Sequence, residues 1–307
     1  MNIGIIGVGN WGNRVAKEYI ELAKEGIIES VSICEKNQEL LEKYSNFHTS
    51  NNYNEFLKNK LLDGVHLCAP NELHYEIAKT AILNNKHVLI EKPFTINSNE
   101  AYKLIELSSE HGVILQVGHI YRFANVIRLL KKLIEQDHFG DIKYITFKWT
   151  NFVSPSQENI FYNVDIIWDL LPHILDIIHF TTDKYPIKID IYRKQKQMTV
   201  LNLDYNSFIA NVELSWITPE RKRELNLIGS KRSAKVECVK QKLYVFENET
   251  KKGTEWNVES NNTIKDEALN FISAIKNKKM MYNSHIIGAK IVDIIEKIVN
   301  GNKNENM

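Results

Sequence analysis

Charge of one sign is what this chain most lacks. Its 39 basic and 38 acidic residues leave a formal net charge of +1 over 307 residues. Without a global basic field there is no electrostatic footprint for nucleic acid. Long apolar runs are missing too, and none approaches the ~20 residues that a membrane span needs. The N-terminal Met opens directly onto a strand, so no signal peptide is expected and a cytoplasmic location is. Cysteine is scarce: Cys34, Cys68 and Cys238 lie far apart with no paired spacing. That excludes a disulfide framework or a cysteine zinc site, and no metal is expected. Internal repeats and low-complexity linkers are absent from the sequence. The length suits one large or two ordinary domains with ample area for a core.

What is present begins at once. A short apolar strand, Ile3–Ile6, runs into Gly7-x-Gly9-x-x-Gly12, with Asn10 and Trp11 inside the motif, and a helical pattern follows. This strand–turn–helix arrangement holds a dinucleotide pyrophosphate. Gly7 permits the tight turn, Gly9 lets backbone approach the phosphates, and Gly12 lets the helix pack on the strand. The N–H groups of the helix start face the phosphate charge. Glu35, ending a second apolar strand, lies where an adenosine ribose would lie. A carboxylate there accepts from a free 2′-OH and repels a 2′-phosphate, which favours NAD; the adjacent Lys36 could pair with a phosphate and keeps NADP open. The competing reading is a glycine turn without a ligand. Trp11 would either cover the pyrophosphate or pack.

Strand-like runs at 3–6, 30–34, 65–69, 88–90 and 113–117 alternate with helix-like segments at about 12–24, 37–44, 72–84 and 97–110. Continuous apolar strands separated by helices predict a doubly wound parallel sheet, the α/β Rossmann class, over residues 1–118. The rhythm then changes. An amphipathic segment (122–136), a strand (142–149) and a helix (164–180) precede strand candidates at 187–192, 199–203, 208–216, 224–228, 234–238 and 242–246. These predict an α+β domain with a large, open, mostly antiparallel sheet over 119–300. The polar stretch 248–263 reads as an exposed loop, helices at 265–276 and 284–300 close the chain, and 301–307 reads as a flexible tail. The strands outnumber the helices available to cover both sheet faces, so a homodimer or homotetramer through this sheet is expected.

The chemistry-bearing residues fall in both parts. The strand at 88–90 runs into Glu91-Lys92-Pro93, and a cation at the C-terminal end of a parallel strand points into the ligand crevice. Lys92 is either that cation or an ordinary turn lysine. Asp169 and His173, four apart, share one helix face, with Asp165 and Asp176 extending the stripe. An imidazole beside a carboxylate is an acid–base unit; a solvated face and a metal pair are the alternatives. His74, at the start of a helix after Cys68-Ala69-Pro70-Asn71, lies near where a cofactor would pass, or simply caps. Arg122 could clamp an anion or serve as a hinge residue paired to a nearby acid.

Taken in order, Gly7-Val-Gly-Asn-Trp-Gly12, Ala69-Pro-Asn71-x-x-His74, Glu91-Lys-Pro93, Gly118-His-x-x-Arg-Phe123 and Asp169-x-x-x-His173-x-x-Asp176 resemble the Gfo/Idh/MocA oxidoreductases over nearly the whole chain. The resemblance implies NAD(P)-dependent oxidation or reduction of a sugar or polyol, with Lys92, Asp169 and His173 catalytic. It also implies cofactor contacts from the glycine turn, Ala69, Pro70, Asn71, His74, Glu91 and Lys92, and substrate contacts from His119, Tyr121 and Arg122. Many members have Gly where this chain has Leu171. Trp168 and the Asp-Leu-x-Pro-His spelling are similar to the branch acting on nucleotide-linked aminosugars, such as UDP-N-acetylglucosamine or its uronic acid. His173 would take the hydroxyl proton and Lys92 would polarise the same oxygen, or the two would exchange roles. The rival from another class is a regulator that binds NAD(P) without turning it over.

Overall fold

Four of the five residues of β1 (Asn2–Ile6) are buried, and this apolar run becomes the centre of a six-stranded sheet. The computed structural model describes residues 1–153, 165–280, 282 and 284–301. Flanking β1 are β2 (Ser30–Cys34) and β4 (Gly64–Leu67). Outside them lie β3 (His48–Ser50) on one side, and β5 (His87–Glu91) then β6 (Leu115–Gly118) on the other. Every pairing is parallel. The order β3-β2-β1-β4-β5-β6 reverses at β1, and doubly wound sheets bind ligands outside the strand C-termini at such a point. Helices α1 (Asn10–Lys24), α2 (Gln38–Glu42), α3 (Tyr53–Leu57), α4 (His74–Leu83) and α5 (Ser98–Glu110) connect the strands. The five-strand expectation missed β3 and α3. With three and five residues, neither is long enough to show a period.

A second sheet follows α6 (Asn125–Glu135). Its strands are β7 (Ile142–Phe152), β8 (Lys188–Gln195), β9 (Met198–Asp204), β10 (Ile209–Ser215), β11 (Ile217–Gly229), β12 (Arg232–Glu237), β13 (Lys242–Glu247) and β14 (Gly253–Trp256), with α7 (Ile166–Thr182) between β7 and β8. The spatial order is β14-β13-β12-β11-β7-β10-β9-β8, antiparallel except where β10 runs parallel to β7. α7 packs on β9 and β10 and runs through Pro172 without a break. The stretch expected as a loop at 248–263 contains β14, an edge strand that adds to β13. Its composition is polar because much of it faces water.

The last two helices correct the domain boundary. The chain divides into one compact unit of Met1–Ile120 with Thr263–Glu296, and another of Tyr121–Asn262 with the chain end from Lys297. α8 (Thr263–Asn277) buries Ala268, Phe271 and Ile272 in the same core as β1, β2 and α1. At the start of α9 (Ser284–Gly301), the Ser284 hydroxyl accepts from Val117 N–H at 3.0 Å. Further along, the Glu296 carboxylate accepts from Ser98 N–H at 3.0 Å, at the open end of α5. Apolar periodicity says that these helices need a partner; it does not say which sheet. The tail expected at 301–307 lies outside the described residues from 302 onward. Among the described residues, no helix is long and apolar enough to cross a membrane.

Candidate active site

The glycine turn is built by backbone contacts that leave no room for side chains. Gly7 has φ +88°, and a Cβ added to Gly12 would lie 1.9 Å from the Gly7 carbonyl oxygen. At Gly9 the opposite holds, with nothing within 4 Å of an added Cβ. Gly9 is also the N-cap of α1, so no side chain occupies the first-turn N–H groups. Glu35 is fixed at the rim of this cradle. Its Oε2 accepts from Val8 N–H at 2.7 Å and its Oε1 from Asn37 N–H at 2.9 Å. A carboxylate has about four lone-pair positions, so acceptor capacity remains for ribose hydroxyls. Open space over an uncapped helix start, with an acid beside it, fits the pyrophosphate and ribose of a dinucleotide.

Beneath the turn lies a buried polar cluster. Glu91 ends β5, 7% exposed, with its Oε1 3.2 Å from His66 Nε2 on β4. Burial works against its charged form. The His66 hydrogen bond and charge, the Trp11 indole N–H and the Lys92 ammonium outweigh that, and the carboxyl titrates below its ordinary value. The Trp11 indole lies close enough to Glu91 to influence its carboxyl, although its Nε1 makes no hydrogen bond of standard geometry. Among the described residues, His66, Cys68 and Glu91 bring potential metal-ligating atoms within 4.8 Å of one another. Burial, aided by Glu91 and Glu267, pushes the Cys68 thiol well up.

Lys92 follows directly, half-buried at the C-terminal edge of the sheet, and its peptide bond to Pro93 is cis. His74, expected near the cofactor, is instead 1% exposed and braces this turn. Its Nδ1 is 2.8 Å from the Pro93 carbonyl oxygen and its Nε2 2.9 Å from that of Ala69. Burial lowers its pKa while these carbonyls oppose the shift. The segment it clamps carries Pro70 and Asn71, which opens a single 3-10 turn. His119, one residue past β6, is 3% exposed.

The second unit holds the candidate acid–base pair. Asp165 caps α7 by accepting from Ile167 N–H at 2.9 Å. Asp169 and His173 follow one and two turns on, both half-buried. The Tyr121 ring stands edge-on to His173 at 5.1 Å and to Trp149 at 5.3 Å. Burial, with Cys238 adding, pushes the Tyr121 phenol up to about 12, so it acts as a hydrogen-bond donor rather than a base. The Arg223 guanidinium lies close enough to that phenol and to Asp169 to interact electrostatically with both. Sequence reasoning missed Arg223 because Glu220-Arg-Lys-Arg-Glu224 reads as a solvated charge run.

Asp176 does not extend a solvated stripe, and Arg122 is not poised as an anion clamp. Both are buried. Arg122 Nε donates to the Asp176 carboxylate at 2.7 and 2.9 Å, and Nη2 lies 2.6 Å from Oδ1. This is the hinge-pairing alternative, a charge pair strong enough to be kept from water.

Family comparison fits these features. Residues 1–119 match the oxidoreductase family described as GFO/IDH/MocA, NAD-binding Rossmann fold, and residues 127–235 match the GFO/IDH/MocA C-terminal domain. UDP-N-acetylglucosamine 3-dehydrogenase of Acidithiobacillus ferrooxidans is 26% identical over 255 residues, 80% of this chain and 77% of that protein. Its solved structure superposes with a TM-score of 0.83 at 22% identity, covering 97% of this chain and 96% of that one. Levoglucosan dehydrogenase, solved with NADH and levoglucosan, gives a TM-score of 0.87 at 18% identity, covering 100% and 98%. Inositol 2-dehydrogenase of Salmonella typhimurium is 23% identical over 66% of this chain and 61% of its own length.

The Arg122–Asp176 pair makes a separable prediction. Arg122→Ala leaves a buried carboxylate without its main partner and should cost about 3–5 kcal/mol in urea unfolding. A loss below about 1 kcal/mol, the scale of an exposed pair, would return the guanidinium to ligand binding.

Proposed function

The chain belongs to the Gfo/Idh/MocA oxidoreductase family, and from that premise we propose that it oxidises or reduces a secondary alcohol or ketone of a sugar with NAD(H). The observation that carries the reading is that one chain keeps an open dinucleotide cradle together with all three proton-handling side chains, Lys92, Asp169 and His173. A regulator that only sensed NAD(P) would need the cradle alone. Tyr121 and His119 are proposed substrate contacts. The sugar class best supported is a nucleotide-linked aminosugar or its uronate, from the likeness to UDP-N-acetylglucosamine 3-dehydrogenase and the Trp168–His173 spelling.

When bound, NAD supplies the hydride acceptor in the oxidative direction. His173, oriented by Asp169, takes the hydroxyl proton as the carbonyl forms, and in reduction returns it. Lys92 steadies the negative charge that develops on the oxygen. Glu91 contributes indirectly: paired with His66, it holds the strand end from which Lys92 projects. Glu35 selects for a free 2′-hydroxyl.

The same reading includes assembly. Tyr144, Ile209 and Ile228 stand side by side on adjacent strands of the second sheet, 39%, 43% and 41% exposed. Beside them runs a polar row in which Asn211 donates to Asn202 at 2.8 Å and Asn226 to Thr146 at 3.0 Å. A mixed face of this kind suits a two-fold contact between copies. Light scattering at micromolar concentration should report a dimer or tetramer; a monomer rejects the assembly.

Activity is tested by following reduced nicotinamide absorbance with UDP-N-acetylglucosamine, its uronate and free sugars. With the substrate found, Lys92→Ala should lower kcat by on the order of 10²-fold while NADH affinity is retained. Unchanged turnover in the folded variant would remove Lys92 from the mechanism.

A further inference from the structure

Arg223 comes from a run of charges that opens with exposed Glu220 and Arg221, yet the register of β11 turns it inward, directly across from Trp149 of β7. Trp149 is fully buried, and the guanidinium carbon sits 5.6 Å from its ring centroid. One arm of the fork is pinned to main chain: Nη1 donates to the carbonyls of Thr150 and Lys222, each at 2.8 Å. The Tyr121 ring packs edge-on against the same Trp149 ring at 5.3 Å, within electrostatic reach of the guanidinium, and meets His173 at 85°. A guanidinium cannot discharge at any working pH. It is therefore a fixed positive charge on rigid supports, one aromatic ring away from the imidazole.

We propose that Arg223 is a positioning residue for the Asp169–His173 pair, fixing Tyr121 against His173 and supplying the permanent positive charge that sets the pair's protonation. Like-charge repulsion from this group disfavours imidazolium at His173, which favours the ring's role as a proton acceptor. Neighbouring groups do not cancel this field. Tyr121 is kept neutral by burial, as is Cys238, whose thiol burial pushes up to about 12. Arg221 is exposed and adds a screened charge of the same sign. Glu224 faces Lys235 at 3.4 Å. Along α7, Asp165 lies 3.9 Å from Lys194, Asp176 is bound to Arg122, and His179 lies 3.6 Å from Asp183.

The proposal rests on reading His173 as the acid–base group, so its primary readout does not require turnover. Imidazole NMR titration of the full-length protein, with His173→Gln to assign the resonance, gives the His173 midpoint directly. Arg223→Gln should raise that midpoint by about one pH unit, because a nearby like charge is lost. Arg223→Lys, which keeps the charge, should leave it near the wild-type value. Once a substrate is in hand, the acid limb of kcat/KM should move up with the midpoint in Arg223→Gln, with KM for NAD unchanged. The proposal is overturned if Arg223→Gln titrates with the wild type while melting normally. It is equally overturned if Arg223→Lys shifts His173 as far as the glutamine variant does, since packing alone would then explain the change. If no sugar is turned over, the proposed activity fails while the titration result stands.

Discussion

The first unit depends on one close approach of backbone to backbone. With Gly12 pressed against the Gly7 carbonyl, α1 lies on the C-terminal end of β1 with no side chain between them. Any Cβ at Gly12 would push the helix off the sheet. The contact aims uncapped N–H groups at open space, brings Val8 N–H onto Glu35, and leaves Trp11 near enough to Glu91 to influence its carboxyl. Glu91 is the residue before Lys92. The turn that accommodates phosphate is thus physically continuous, through two side chains, with the strand end that presents the candidate catalytic cation. His74 fixes the same region from the other side by engaging the Pro93 and Ala69 carbonyls.

In the second unit the governing constraint is charge in a dry environment. α7 carries four acids and imidazoles along one strip, and buried charge is tolerated only where it is paired. Arg122 answers Asp176 and Arg223 faces Asp169. The two arginines divide the labour. One closes a structural pair that is shut off from water, and the other lies near a half-buried acid and imidazole. What separates the two is how far each is buried.

Much of this was legible in the sequence. The glycine turn, the apolar strands and the four-residue spacing of Asp169 and His173 are local signals, set by φ, period and helix geometry. Elements without a local signal were missed: β3 and α3 are too short to show a period, and β14 is an edge strand with a polar composition. Arg122 and His74 carry chemistry that suits a site, but long-range pairing with Asp176 and with two carbonyls assigns them to structure. Arg223 shows the converse. It sits in a run of charges that opens with exposed Glu220 and Arg221, and only the pairing of β11 with β7 turns it towards Trp149. The destination of α8 and α9 was likewise invisible, since an apolar face does not name the sheet it covers.

The central claim is that the glycine turn and Glu35 form a dinucleotide site that prefers a free ribose 2′-hydroxyl. Isothermal titration of the full-length protein with NADH and NADPH tests it most directly. The account predicts tighter binding of NADH. It also predicts that Glu35→Ala weakens NADH by roughly 1–2 kcal/mol, the scale of a hydrogen bond to a charged acceptor, and narrows the gap to NADPH. Tighter NADPH binding by the wild type, or binding of neither nucleotide by folded protein, would contradict it.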